Sequence, residues 1–174
     1  MQNIRINQGG REIWLNGIRE SDIDIRDISS ALSKICRYGG RLKDFYSVAQ
    51  HSIIVSNLCE PEYALAGLLH DAAEAYIGDI ISPIKKQLTE FLELEQHIEH
   101  VIWRKFGLLD TFEKYAHEIK ACDITATQAE MMYFYYDGER AEILPISING
   151  PEIYMAHFAA DREFMKRYCE LIQL

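Results

Sequence analysis

The sequence predicts an all-α bundle with a small N-terminal β-hairpin, and three observations predict it. Apolar residues recur at spacings of three and four along most of the 174-residue chain, as they do on a buried helix face. Turn-forming residues divide this pattern into segments of helix length. Only the first 17 residues alternate as strands do. We predict one domain over residues 1–174, with residues 1–17 as a hairpin extension.

The hairpin is predicted over residues 4–15, where two alternating pieces flank Gly9 and Gly10. Glycine tolerates the positive φ of a tight turn. A first helix is predicted after Gly17, and Gly39 with the glycine after it is expected to end it.

Five more helices are predicted from their start signals, namely Ser47, Pro61, Thr89, Thr111 and Pro151. The helix from Pro61 is expected to carry the adjacent pair His70 and Asp71. Residues 138–150 are predicted to form a connection.

Composition limits the function classes. The formal net charge of −9 argues against broad contact with nucleic acid, whose backbone is recognised by basic surfaces. The four cysteines are widely separated and form no CxxC pair, so a disulfide framework or structural zinc site is not predicted. No apolar run approaches the length that spans a bilayer, and the N-terminus lacks a signal-peptide pattern, so we expect no membrane contact and a cytoplasmic location.

Polar residues interrupt otherwise buried patterns at three places: at His51, at His70-Asp71 and at Asp123. Two imidazoles and two carboxylates could bind one divalent metal, and Glu74 is a further acid that could handle protons. Nitrogen and oxygen donors together suit Mn²⁺, Co²⁺, Fe²⁺ or Zn²⁺, with Mg²⁺ as a possible second ion. The residues alone leave a hydrogen-bonded core network as an equal alternative.

The pattern H…HDxxExxxxD…D, with the phrases CRYGG, FYSVAQHS and GLLHDAAEAYIGDIISPIK in order, resembles the HD-domain phosphohydrolase superfamily. Within it the chain is similar to the 5′-deoxynucleotidase branch and to small phage and prophage dATP triphosphohydrolases. The resemblance implies an HD-domain helical bundle. It also implies a metal bound by four ligands, which are His51, His70, Asp71 and Asp123.

The same resemblance assigns the remaining site residues. Glu74 matches the catalytic acid that positions the attacking water or moves a proton, and Asp79 matches a second catalytic acid near the substrate sugar and the catalytic water. The substrate contacts are matched by Arg37, Tyr38, Pro83 and Lys85. Tyr38 departs from the family pattern, which more often has tryptophan there. From the residues alone, Arg37 could instead be a cation at a helix C-terminus, and Lys85 a solvated surface charge.

The resemblance implies a metal-dependent hydrolase that removes phosphate from purine deoxynucleotides, most closely a dATP triphosphohydrolase in a bacterial or phage-infected cytoplasm. One alternative is a 5′-deoxynucleotidase acting on deoxynucleoside monophosphates, and another is a non-catalytic nucleotide-binding protein with a structural metal. The relatives are usually homo-oligomers, so we expect one here. The aromatic tract MMYFYYDG is expected at a helix end, packed on the core or at a subunit contact.

Overall fold

The computed structural model describes residues 4–135 and 155–173, and this part of the chain is mostly helical. A two-stranded antiparallel sheet precedes the helices, so the predicted helical class and N-terminal hairpin are confirmed. The strands are β1 (Arg5–Gln8) and β2 (Arg11–Trp14). The described helices are α1 (Ile25–Leu32), α2 (Val48–Leu58), α3 (Ala64–Leu68), α4 (Glu74–Ile77), α5 (Ser82–Lys85), α6 (Thr89–Phe106), α7 (Leu109–Tyr135) and α8 (His157–Leu171).

The hairpin turns through two glycines, as predicted. Gly9 and Gly10 have φ angles of 57° and 75°, and the strands pair from Arg5 opposite Trp14 to Gln8 opposite Arg11. Two residues with positive φ are the turn that best matches the twist of a hairpin.

The first predicted helix is shorter than expected. Asp24 caps α1, which ends at Leu32, well before the glycine pair. The chain then leaves the helix to lie beside a later segment, where Arg37 N–H donates to the Tyr46 carbonyl and Val48 N–H to the Ile35 carbonyl. Arg37–Gly40 forms a short 3₁₀ turn instead, so Arg37 is not at the C-terminus of a long helix.

Helix α2 is the central element of the core. Ser47 caps it as predicted, and the Gln50 side chain accepts a hydrogen bond from the Ser47 backbone N–H. Every residue from position 48 to 56 is buried, and α2 packs against α3, α7 and α8.

The predicted helix from Pro61 is broken into two short pieces. Helix α3 ends at Leu68, α4 begins at Glu74, and the residues between them form turns. Their backbone bonds span three residues, as in Ala72 N–H to the Leu69 carbonyl and Glu74 N–H to the Asp71 carbonyl. His70 and Asp71 therefore lie in this turn segment and not on a continuous helix.

The caps of the next two helices were also predicted incorrectly. Leu88 precedes α6 and offers no side-chain cap, so Thr89 is the first helical residue. Gly107 ends α6 with φ 67°, and α7 begins two residues later, which puts Thr111 inside α7.

The last described helix begins at His157. Pro151, the predicted connection 138–150 and the end of the aromatic tract lie outside the described residues. Among the described helices, none combines the length and apolar character needed to cross a bilayer. The predictions of a single domain, a cytoplasmic location and a homo-oligomer stay predictions.

Candidate metal centre

His51 lies in the first turn of α2 and is fully buried. Its Nδ1 is 2.6 Å from Glu130 Oε1, and its Nε2 is 3.1 Å from Asp123 Oδ1. Both nitrogens face a carboxylate, but Glu130 Oε1 is the nearer acceptor, so the hydrogen of the neutral ring is assigned to Nδ1. The lone pair of Nε2 then faces the aspartates.

His70 is oriented in the same way by a backbone group. Its Nδ1 is 2.8 Å from the Gly67 carbonyl, which can only accept, so the hydrogen again belongs on Nδ1. Its Nε2 is buried and has no hydrogen-bond partner, although Asp71 Oδ2 lies 3.1 Å away. A second imidazole nitrogen therefore lies beside the Asp71 carboxylate with its lone pair unused.

The turn segment between α3 and α4 explains how two residues adjacent in sequence can face the same cluster of side chains. On a continuous helix, His70 and Asp71 would point about 100° apart. In the observed turn their side chains converge, and Asp71 Oδ2 also lies 3.8 Å from His51 Nε2.

Asp123 approaches the same point from α7. Its Oδ1 is 3.1 Å from His51 Nε2 and 3.9 Å from His70 Nε2. All four predicted ligands are therefore brought together, from α2, from the turn segment and from α7.

The donor atoms fit a divalent ion. Metal–ligand bonds of about 2.0–2.2 Å place neighbouring donors about 3 to 4 Å apart, which is the range found here. His51, His70 and Asp71 form a group that could hold a metal ion. The unpaired Nε2 of His70 is the strongest single sign, because a buried polar atom without a partner is costly.

The charges around the cluster keep both aspartates ionised. Burial alone would raise the pKa of Asp71 and of Asp123, but the neighbouring imidazoles hold both below the ordinary aspartate range. Burial would also lower the pKa of His51, and Arg37 acts in the same direction. The carboxylates of Glu130 and Asp123 outweigh both and raise it. The cluster thus favours a positive charge at its centre.

Glu74, the predicted proton-handling acid, lies beside the cluster at the start of α4. It is 5% exposed, and its Oε2 has no hydrogen-bond partner. Burial raises the pKa of Glu74 well above its ordinary value, and the charges of Asp71 and Asp79 raise it further, against the effect of Lys85. A carboxyl group in this environment can hold and release a proton.

Asp79 is only partly buried. Burial raises its pKa, the Arg37 charge lowers it, and the Asp71 charge raises it again. Asp79 therefore lies close enough to Arg37, Asp71 and Lys85 for their charges to act on it.

Lys85 lies in α5 and is held by two acids. Its Nζ is 2.7 Å from Glu95 Oε1 and 3.7 Å from Glu74 Oε1. The interpretation of Lys85 as a freely solvated charge is therefore wrong. Pro83 is exposed in the first turn of α5, where its missing N–H is tolerated.

Arg37 is anchored inside the protein. Its Nε and Nη2 donate to Glu130 Oε2 and Thr127 Oγ1, both at 3.2 Å, and its Nη1 is 3.7 Å from Asp71 Oδ2. Burial would lower the pKa of Arg37, but Glu130 and Asp71 raise it, so the guanidinium stays charged.

Tyr38 follows Arg37 in an unusual backbone conformation. Its φ is 56°, a left-handed value that is uncommon for a residue with a side chain. The Tyr38 hydroxyl donates to Glu130 Oε2 at 2.9 Å, and its ring meets Tyr135 edge to face at 6.2 Å. An added Cβ on Gly39 would lie 3.8 Å from Ile81, so this turn adjoins the approach to α5.

Sequence reasoning missed Glu130. This residue is fully buried on α7 and bonds to His51, Arg37, Tyr38 and Tyr46. A signal was present, because Asp123, Thr127 and Glu130 follow one another at spacings of four and three and so share a helix face. That polar face continues the pattern that Asp123 begins.

The larger cavities lie elsewhere. Two cavities of about 580 and 560 Å³ are both lined by Met155 and Ala156, and by none of the predicted site residues. A smaller cavity of about 150 Å³ includes Arg37. The grouping of ligand atoms, and not cavity size, therefore identifies the site.

Comparison with known proteins gives two relatives. Uncharacterized protein YfdR of Escherichia coli is 44% identical over 110 residues, which cover 62% of this chain and 62% of YfdR. The match thus spans less than two thirds of that relative's length. Uncharacterized protein RCAP_rcc00048 of Rhodobacter capsulatus is 33% identical over 132 residues, or 70% of this chain and 67% of the relative. No protein-family model matches the chain. The extent of the second match shows that this chain belongs to the same protein family as RCAP_rcc00048.

Proposed function

We propose that this protein is an HD-type, metal-dependent phosphohydrolase acting on purine deoxynucleotides. One observation carries the proposal: the Nε2 atoms of two buried imidazoles each lie 3.1 to 3.9 Å from a carboxylate oxygen of Asp71 and of Asp123. The resemblance of the sequence to HD-domain phosphohydrolases supports it independently.

In this proposal Asp123 is the fourth metal ligand, beside His51, His70 and Asp71. A divalent ion bound there would supply a Lewis acid for a phosphoryl oxygen and favour ionisation of water near neutral pH. The two Nδ1 hydrogen bonds fix the orientation of the rings, so that both Nε2 atoms face the site of the ion.

Glu74 takes the proton of the attacking water. Its Oε2 is the buried carboxylate oxygen that has no hydrogen-bond partner. Its other oxygen faces Lys85 at 3.7 Å, which leaves Oε2 for water. Asp79 shares this side of the site and is assigned to the sugar.

Arg37 binds a phosphate oxygen while it supports the site. A guanidinium has five N–H donors, and the hydrogen bonds to Glu130 and Thr127 use two of them. Since phosphoryl transfer depends on positioning and electrostatics, these groups suffice without a protein nucleophile. Tyr38 and Pro83 are assigned to the base, on the resemblance.

The number of phosphates on the substrate is open to a direct comparison. The resemblance favours a triphosphate, dATP. The ion pairs of Lys85 with Glu95 and Glu74 favour a monophosphate instead. These acids already neutralise part of the positive charge of Lys85, and a monophosphate needs fewer cations than a triphosphate.

The test is phosphate release from dATP, dAMP, the other deoxynucleotides and ribonucleotides, with Mn²⁺, Co²⁺ or Mg²⁺. We expect release from purine deoxynucleotides, with dATP and dAMP compared at equal concentration. Metal binding without release from any of these would reject the hydrolase. Nucleotide-induced thermal stabilisation in that case would support the non-catalytic binding protein.

Glu74→Ala separates catalysis from metal binding. We expect Mn²⁺ affinity to be retained and turnover to fall by about 10²- to 10⁴-fold, the usual contribution of a general base. Glu118→Ala, an exposed change on α7, is the matched control. Retained turnover in Glu74→Ala would remove Glu74 from the mechanism.

A further inference from the structure

Glu130 is a fully buried carboxylate whose two oxygens face different groups. Oε1 accepts from His51 Nδ1 at 2.6 Å and from the Tyr46 hydroxyl at 2.8 Å. Oε2 accepts from the Tyr38 hydroxyl at 2.9 Å and from Arg37 Nε at 3.2 Å. One oxygen thus faces a metal-centre imidazole, and the other faces the turn assigned to the substrate.

The number and type of donors are unusual for a residue that only fills space. A buried carboxylate is costly unless it is paired and hydrogen-bonded, and here both oxygens are satisfied. The donors come from α2, from the segment just before it and from the Arg37–Gly40 turn. A single side chain on α7 therefore connects that helix to all three of these segments.

The turn on the Oε2 side needs such support. Tyr38 has a left-handed backbone, which is unfavourable for a non-glycine residue and persists only where surrounding contacts fix it. The hydrogen bond from the Tyr38 hydroxyl is one such contact. A tryptophan, which the resemblance would favour at this position, has no hydroxyl to make it.

We propose that Glu130 is a positioning residue that couples metal binding at His51 to nucleotide binding at the Arg37–Tyr38 turn. Its Oε1 fixes the orientation of the His51 ring, and its Oε2 fixes the turn. The nucleotide half of this coupling rests on the function proposed above, whereas the metal half does not.

The metal half is tested with Mn²⁺ alone, by isothermal titration calorimetry on the metal-free protein. We expect Glu130→Gln to weaken Mn²⁺ affinity by about 10- to 100-fold, the usual effect of losing a carboxylate behind a ligating histidine. Tyr46→Phe, which removes one donor to Oε1, should give a smaller change in the same assay. Glu118→Gln on the exposed face of α7 is the control.

The coupling is tested by repeating the Mn²⁺ titration with and without dAMP in the slow Glu74→Ala background. We expect dAMP to tighten Mn²⁺ binding by about fivefold or more. Adding Tyr38→Phe should abolish this gain and leave the affinity for Mn²⁺ alone within about twofold. In otherwise wild-type protein, Tyr38→Phe should raise KM more than it lowers kcat.

Wild-type Mn²⁺ affinity in folded Glu130→Gln would overturn the metal half of the proposal. If that variant does not fold, an equal loss of Mn²⁺ affinity in Tyr38→Phe and Tyr46→Phe would overturn the coupling, because the two oxygens would not act on separate partners. If no nucleotide is hydrolysed yet Glu130→Gln weakens Mn²⁺ binding, the hydrolase fails and the positioning of His51 stands.

Discussion

The two sides of the metal centre differ in how their polar groups are satisfied. On the α2–α7 side, His51 and Glu130 are fully buried and every oxygen of Glu130 has donors. On the α4–α6 side, Glu74 keeps an unpaired oxygen and Lys85 is shared between two acids. The difference teaches that the α2–α7 side satisfies its polar groups within the protein, while the α4–α6 side keeps a buried carboxylate oxygen without a partner.

The largest expected effect is the loss of the His70 imidazole. His70→Ala removes one of the two converging Nε2 atoms, so Mn²⁺ affinity should fall by more than about 100-fold, beyond the usual effect of a change behind a ligand. Calorimetry with Mn²⁺ measures it, and His97→Ala on the exposed face of α6 is the control. Equal affinity in both variants would show that the His–Asp cluster is a core network and not a metal site.

On the α4–α6 side, the titration of Glu99 should lower the free energy of unfolding as pH rises. Burial, with the charges of Glu95 and Asp71, raises the pKa of Glu99 from 4.5 to about 7. Between these values the folded state holds a proton that the unfolded chain releases, so this contribution to stability is lost as pH rises.

Glu99→Gln removes that titration. Relative to wild type, the variant should be more stable at pH 8 by up to about 3 kcal/mol and nearly equal at pH 5. Urea unfolding of the metal-free protein at both pH values measures it, with Glu93→Gln as the exposed control on α6. A difference independent of pH would contradict the raised pKa.

Close packing of α3 against the end of α2 should tolerate no added methyl group. A Cβ on Gly67 would lie 2.5 Å from Cys59 Sγ, and the Gly67 carbonyl also holds His70 Nδ1. Gly67→Ala should therefore destabilise the protein by about 2 kcal/mol and weaken Mn²⁺ binding. Gly17→Ala, where a Cβ meets nothing within 4 Å, is the control for both measurements.

The smallest expected effect concerns Lys85. Glu95→Gln removes a negative charge from the α4–α6 side, so KM for dATP should fall by about threefold, a change of less than 1 kcal/mol. The fall should be smaller for dAMP and for the exposed control Glu93→Gln. An unchanged or higher KM for dATP would show that Lys85 does not act on the phosphates.

Local signals predicted the hairpin and the second helix well. Gly9 and Gly10 adopt the positive φ of a tight turn, and Ser47 caps the helix that follows it. These features depend on nearby residues, so the local sequence was enough to predict them. The segment from Pro61 to Glu74 was predicted incorrectly because its apolar pattern is helical, whereas convergence of His70 and Asp71 requires a turn. Tertiary contacts decided that conformation.

The four candidate metal ligands were easier to predict than Glu130, which hydrogen-bonds to one of them. His51, His70, Asp71 and Asp123 were visible as polar residues in buried patterns, and the structure brings them together. Glu130 was not identified, because a glutamate near a helix end is most often exposed and only its partners, distant in sequence, make it a buried group.

Asp123 and Glu130 lie seven positions apart on one uninterrupted stretch of α7, about two turns, and both face His51. Each added or deleted residue between them would rotate one carboxylate by about 100° away from the imidazole. Insertions and deletions in this stretch should therefore be more damaging than most substitutions, and the spacing itself should persist wherever evolution has kept both acids.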